Sequence, residues 1–337
     1  MHEECQLRCG EDNSRKWEIL KHFASGPYHN HSIGNNTTLT HPHVVQDLRE
    51  FYKNEYSANR INAVLLSALP IEEMKAKAVP YFLEIANKQL PSIDYELHYL
   101  PANLGKLVRM RSIKDESIME FFWAVDPLRP HHKHHPEKYI THVLGHEGKH
   151  SLLSLLKERE YASKIVSYSH DLPRQSIVGL EIQLTEAGVE DYEKVYNLVT
   201  DYCCWLRADK QVYNEIRYAS AVAFQFKEKS PNYQYSTDLS SSMHHVELKD
   251  VISWRANYAE FDQALIDGFL KQLNPFNLIL VYSNSDELEN PIVEKHLGGN
   301  FVIRDLPARV NEAITFHPLV KNPFLPLSNT LTPADPV

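Results

Sequence analysis

The chain has 337 residues, 43% of them hydrophobic, and its 35 basic and 44 acidic residues give a net charge of −9. This composition is ordinary for a folded protein and too apolar for a disordered one, and the length suits two domains or one large one. With an acidic balance and no long basic block, a nucleic-acid interface built on a basic stripe is not expected.

Four cysteines, Cys5, Cys9, Cys203 and Cys204, are too few and too unevenly placed for a disulfide framework, which suits a reducing compartment and the cytoplasm. The opening residues, MHEECQLRCGEDNSRK, are polar and unlike a signal peptide, and no apolar run is long enough to span a membrane. Residues 42–56 carry Val44, Val45, Leu48, Phe51 and Tyr52 at helical spacing. Residues 61–69, INAVLLSAL, read as a buried strand, and 71–87 return to a helix that Pro80 kinks or interrupts. Turn formers gather across 88–105, which predicts a domain boundary there.

Beyond that boundary, KLVRMRSI and SIMEFFWAV read as paired strands around a polar turn at Lys114 and Asp115. Residues 129–138 form a polar loop, helical patterns flank Gly145 and Gly148, and ASKIVSYS and SIVGLEIQL are further strands. Thr185 is a predicted N-cap for one long helix through Leu206. Helices follow at roughly 209–228, 233–244 and 259–272, then a strand at 277–283, while HLGGN (296–300) reads as a turn. The tail from Phe316 holds five prolines and no periodicity, as a linker would. Strands and helices without strict βαβ alternation predict an α+β fold, with antiparallel sheets and the helices packed mainly on one face.

One stretch invites a catalytic reading. His146-Glu147-Gly148-Lys149-His150 spells H-E-x-x-H, in which two histidines on one helix face hold zinc and the glutamate activates water. Three physical objections stand against it. Gly145 and Gly148 flank and interrupt the helix the motif needs, each costing about 1 kcal/mol relative to Ala. Lys149 sets an ammonium between the two ligands, and Leu156 stands where the longer form of the motif has its third histidine. A helix end near Gly145–Gly148 and a second helix from about Ser151 are expected instead. The loop HHKHHPEK contains a near miss to the inverted motif H-x-x-E-H, since His134 and Glu137 fit but Lys138 replaces the second histidine. Cys5 and Cys9 lack a second Cys/His pair nearby in sequence, and one of Cys203 and Cys204 is expected in the core.

The segment YITHVLGHEGKHSLLSLLKE resembles the second-domain G-H-E-G…S-L-L-S-x-L-K segment of the insulinase family of zinc metalloendopeptidases, that of insulin-degrading enzyme and nardilysin. The family has Pro-Gly or Lys-Gly where this chain has Lys149-His150, so the H-E-x-x-H arises from one departure, His150, inside a non-catalytic segment. AVAFQFKEK, IQLTEAG and SIGNNTTL are similar to family segments too. The resemblance runs over almost the whole chain. It implies α+β domains that close in two halves around a peptide, with zinc held by H-x-x-E-H in a first domain and by a later glutamate. This chain contains no H-x-x-E-H. Glu4-Cys5-Gln6-Leu7…Asp12…Arg15-Lys16 is similar to the segment carrying that later glutamate, which implies Glu4 as the metal-ligand position, with Glu3 one residue away.

The resemblance further implies an exosite for a substrate N-terminus at His142, Gly145 and Glu147, beside an edge strand at Ile165 and Ser167. There a carboxylate pairs with an α-ammonium and backbone groups add the peptide as a strand. The family has glycine at position 167, and serine narrows the backbone approach. Three units are thus expected: residues 1–90 as the C-terminal part of a first domain, 91–320 as a complete second domain, and 321–337 as a tail. The implied function is that of a zinc metalloendopeptidase acting on peptides, without catalytic residues of its own here and with no zinc bound stoichiometrically by this chain alone. The alternative is an inactive peptide-binding or dimerising module. Expected partners are peptides and another copy or the missing peptidase half, with neither nucleic acid nor membrane.

Overall fold

The computed structural model describes residues 2–310, 313–323 and 325, so Met1 and most of the proline-rich tail lie outside the described residues. The chain opens with helices α1 (His2–Cys9), α2 (Asp12–Lys21), α3 (Asn36–Leu39), α4 (Val44–Glu55) and α5 (Ile71–Leu83). Strands β1 (Lys106–Arg111) and β2 (Ile118–Val125) come next, then α6 (Pro136–Leu144), α7 (Leu152–Glu158), β3 (Ala162–Asp171) and β4 (Ser176–Leu184). A run of helices follows: α8 (Glu186–Glu190), α9 (Tyr192–Trp205), α10 (Lys210–Gln225), α11 (Asn232–Ser242) and α12 (Gln263–Leu270). Strands β5 (Leu278–Asn284), β6 (Ile292–Val293) and β7 (Asn300–Asp305) close the series. No described helix is long and apolar enough to cross a membrane.

All seven strands join one sheet in the order β3-β4-β2-β5-β1-β7-β6. Every pair is antiparallel except β1 with β5, which run parallel from Lys106 opposite Ile279 to Arg111 opposite Asn284. The central strands are apolar on both faces, as a sheet covered on both sides requires. In β2, Met119, Phe121 and Trp123 join one core cluster, and Phe122 and Ala124 join another across the sheet. The first and larger core packs Ile140 and Val143 of α6, Leu156 of α7, Val199 of α9, Ile216 of α10 and Ile266 of α12 against one sheet face. The opposite face meets α2 through Ile19 and Leu20, together with Tyr99. The sequence reading of an α+β fold with helices mainly on one face is therefore the fold observed.

A buried ionic contact fixes α2 to its face of the sheet. Glu120 of β2 is 1% exposed, Lys16 of α2 pairs with its Oε2, and the Tyr168 hydroxyl of β3 donates to its Oε1. The lysine contact is an ion pair without the direction of a hydrogen bond. Tyr168 reaches that carboxylate because Gly179, its cross-strand neighbour, leaves room for the ring; a Cβ there would lie 2.0 Å from Tyr168 Cζ.

Several elements depart from the sequence reading. Residues 61–69 form no strand and join no β-ladder among the described residues, and none of them is buried. The expected helix from Thr185 to Leu206 divides into α8 and α9 at Asp191, whose carboxylate accepts from Lys194 and from the Tyr161 hydroxyl. Thr185 does cap α8, accepting from Gly188 N at 3.1 Å. The last helix starts at Gln263, where the Asp262 carboxylate takes Leu265 N at 3.0 Å. Strands β6 and β7, joined across the 296–300 turn, were not visible as strands in the sequence.

Between Asn36 and Leu97 only Ser57 is buried. Val45, Leu48, Phe51 and Tyr52 of α4 are 57–67% exposed, an uncovered apolar stripe. A polar clasp ties this segment together: Ser57 Oγ accepts from Lys88 N at 2.8 Å, and Asn59 Nδ2 donates to Leu90 O at 2.8 Å.

Candidate functional site

The H-E-G-K-H stretch lies in the connection between two helices. Helix α6 starts at Pro136, whose fixed φ suits a first helical position, and ends when Gly145 N bonds back to Thr141 O at 2.9 Å. Residues 145–151 are non-helical, and His150 takes a left-handed φ of 69°. Ser151 then caps α7 by accepting from Ser154 N at 3.1 Å. Within the connection Gly148 N donates to His146 Nδ1 at 3.0 Å, whereas His150 Nδ1 faces Pro318 O at 3.1 Å. The two histidines thus have separate partners.

Strand β3 is the end strand of the sheet, paired with β4 on one side only. Helix α6 lies along it, and its C-terminal end meets the middle of the strand: Ser167 Oγ donates to Thr141 O, and a Cβ on Gly145 would lie 2.5 Å from Ser167 Oγ. Only glycine at 145 permits that approach. Ser167 turns its hydroxyl toward the helix, so the side chain is engaged with α6. Ile165, 3% exposed, anchors the strand in the core. What Ile165 and Ser167 can offer a ligand is therefore their backbone.

The charges around the helix end are unevenly satisfied. The His142 and His146 rings meet edge to face, with centroids 5.3 Å apart. Burial holds the His142 imidazole below the ordinary histidine value; His146 pushes the same way and Glu215 of α10 opposes. Burial likewise lowers His146, against Glu215 and Glu147. Both rings are then neutral at pH 7. Glu147 is exposed and makes no hydrogen bond or ion pair among the described residues. Glu215 accepts from Gln211 Nε2 at 3.1 Å and from Asn322 N at 3.3 Å. This second carboxylate comes from a helix about 70 positions along the chain, and no local sequence pattern marks it. The structure thus brings His142, Gly145 and Glu147 to one helix end beside Ser167, and adds Glu215.

Glu4 stands apart from this group. It lies on α1, half exposed, paired with Arg8 at 3.2 Å. Among the described residues no three His, Cys, Asp or Glu side chains are grouped to hold a metal ion. A zinc centre does not fit the donors present, because His146 and His150 diverge and Glu4 is engaged by an arginine.

Comparison with known proteins places this arrangement. A family model described as the peptidase M16 inactive domain matches residues 43–217, and one described as the middle or third domain of peptidase M16 matches residues 224–336. The chain is 28% identical over 305 residues to a nardilysin-like protein of Arabidopsis thaliana, covering 86% of this chain and 30% of that protein. It is 27% identical over 328 residues to insulin-degrading enzyme of Homo sapiens, covering 92% of this chain and 32% of that enzyme. It also shares its fold with the crystal structure of pitrilysin, with a TM-score of 0.84 at 20% identity over 91% of this chain and 34% of that one. The chain therefore spans about a third of the length of the curated relatives it matches. With more than half of its residues inside the inactive-domain match, the chain belongs to the M16 peptidase family.

Proposed function

We propose that this chain supplies the non-catalytic, peptide-holding part of an M16-type peptidase. A peptide adds to the free edge of β3 as an extra strand, pairing with backbone groups near Ile165 and Ser167. Its α-ammonium sits at the end of α6, against the Glu147 carboxylate. Neutral His142 and His146 add no positive charge there, and Glu215 contributes a second negative one. The observation that carries this reading is an end strand with an open edge beside a helix terminus whose carboxylate has no partner of its own. In this reading the chain supplies peptide binding, while proteolysis and zinc belong to the whole family architecture. The free thiols of Cys5, Cys9, Cys203 and Cys204 support a cytoplasmic setting. A second reading, an inactive dimerising module, draws on the uncovered apolar stripe of α4.

Fluorescence anisotropy with labelled peptides of free or acetylated N-terminus tests the first reading. Free-amine peptides are expected to bind about tenfold more tightly than acetylated ones, a difference of about 1.4 kcal/mol, and Glu147→Gln is expected to erase most of that preference. Equal binding of both peptides by the unaltered chain would refute an ammonium site.

A further inference from the structure

At the far end of β3 the strand runs into a cavity of about 390 Å³. Ser169 and Asp171 of β3 form one wall, Lys138 of α6 contributes to another, and Asp238 of α11 and Arg255 are among the residues that complete it. Helix α6 thus lies along the whole groove, with Gly145 beside Ser167 and Lys138 beside the strand's end. A peptide whose amine is held near Glu147 can extend in this direction. In the other direction lies Ala162, where the chain arriving from α7 enters β3. Ser167 and Asp171 are four residues apart, roughly 13 Å at the strand rise of about 3.3 Å per residue.

One ion pair in the cavity wall is already made. Arg129 Nε donates to Asp171 Oδ2 at 3.3 Å, and its Nη1 contacts His245 Nε2 at 2.7 Å. Asp171 Oδ1 also accepts from Ser176 Oγ at 2.8 Å. Burial and the adjacent Arg129 hold the His245 imidazole below its ordinary value, so it adds no charge at pH 7. Glu137 faces the buried His135 ring at 3.0 Å, and Asp238 accepts from Gln234 Nε2 at 2.9 Å. Two cations remain. Lys138 and Arg255 form no ion pair among the described residues, and the Arg255 guanidinium lies over the Trp254 ring, 5.1 Å from its centroid. The cavity therefore presents two cations without an ion pair, from two elements, alongside two carboxylates, Glu137 and Asp238, whose partners are a histidine ring and an amide.

We propose that this cavity is a subsite for an acidic side chain, Asp or Glu, of the peptide that adds to β3. It rests on the strand-addition reading above and extends it to side-chain selection. The subsite takes a residue about three to six positions from the peptide's amino end, as the strand rise requires. The carboxylate meets Arg255, whose planar guanidinium is pre-oriented by stacking on Trp254, and Lys138 approaches from the helix side.

Anisotropy titrations with free-amine peptides carrying Glu, Gln or Lys at each of positions three to six, together with N-acetylated versions, test the subsite. Glu at one position is expected to bind about fivefold to tenfold more tightly than Gln, the scale of a partly solvated charge contact, with Lys weaker than both. Arg255→Ala and Lys138→Ala, both at exposed positions, are expected to cut the Glu preference to less than twofold while leaving Gln peptides unchanged. Indistinguishable Glu and Gln at every position, or a preference for Lys, would overturn the subsite while the amine preference still stood. An unchanged Glu preference in both variants would overturn it as well. Loss of the free-amine preference would instead strike the underlying strand-addition reading.

Discussion

Lys16→Met probes the contact that fixes α2 to the sheet. Lys16 Nζ pairs with Glu120, whose side chain is 1% exposed, and lies 3.7 Å from Glu181. Removing the ammonium leaves the Glu120 carboxylate buried, with the Tyr168 hydroxyl as its one remaining polar partner. Breaking a buried pair from one side costs about 3–5 kcal/mol, because the uncompensated charge stays in a low-dielectric site. Adding Glu120→Gln removes that charge and keeps a carbonyl oxygen for Tyr168, so the double variant is expected to lie within about 1–2 kcal/mol of the unaltered chain. Adding Glu120→Gln to Lys16→Met should thus recover about 1–4 kcal/mol, and the single Glu120→Gln variant completes the cycle that gives the coupling. Urea unfolding followed by tryptophan fluorescence measures it, since Trp17 sits 6.3 Å from the Tyr168 ring and Trp123 lies in the larger core. A Lys16→Met cost below about 1 kcal/mol, as for a surface pair, would refute the reasoning. Additive single and double variants would do so too.

Gly179→Ala tests the same corner by crowding it. The new Cβ would meet the Tyr168 ring at 2.0–2.5 Å and push its hydroxyl off Glu120, for an expected loss of about 1–3 kcal/mol in the same urea assay. No measurable change would mean that the ring yields freely. His142 and His146 should titrate by NMR below the ordinary histidine value near 6.5, in the direction burial imposes. Because their folded pKa values are depressed, the unfolded chain binds more protons once the pH falls through about 6.5, so stability drops on acidification and is fully present above about pH 7. The same protonation would place positive charge beside Glu147 and weaken amine binding; midpoints at or above 6.5 for both rings would contradict this.

Legibility in the sequence followed how local each cause was. The break in H-E-G-K-H could be read from Gly145 and Gly148, and the cap of α8 from Thr185, because turn and cap chemistry is written in neighbouring residues. The apolar density of SIMEFFWAV and SIVGLEIQL marked both as strands, and the near-continuous run in the first matches the two-faced burial of β2. Residues 61–69 have the composition of a buried strand, but composition cannot supply a partner for the hydrogen bonds. Glu215 at the helix end, Lys16 beside Glu120, and the join of β6 and β7 at the sheet edge all depend on contacts between distant segments. None leaves a periodic or short-range mark. At the candidate site, the resemblance pointed to His142, Gly145 and Glu147, while the charged cavity past Asp171 emerged only when α6, β3 and α11 were brought together.

The uncovered stretch between Asn36 and Leu97 has a consequence for how the chain moves. Helices α4 and α5 contain 12 and 13 residues, close to the length at which a helix in water is marginal without tertiary support. The Ser57 clasp ties their flanks together but gives neither helix an apolar surface to rest on. Opening them breaks their own hydrogen bonds and exposes little that was buried, so it requires only a small free energy. Strands β2 and β5 open only when both cores are broken. In deuterated solvent the chain would divide into two populations of amides: those of α4 and α5, which exchange through local openings, and those of the central strands, which wait for the whole sheet to come apart.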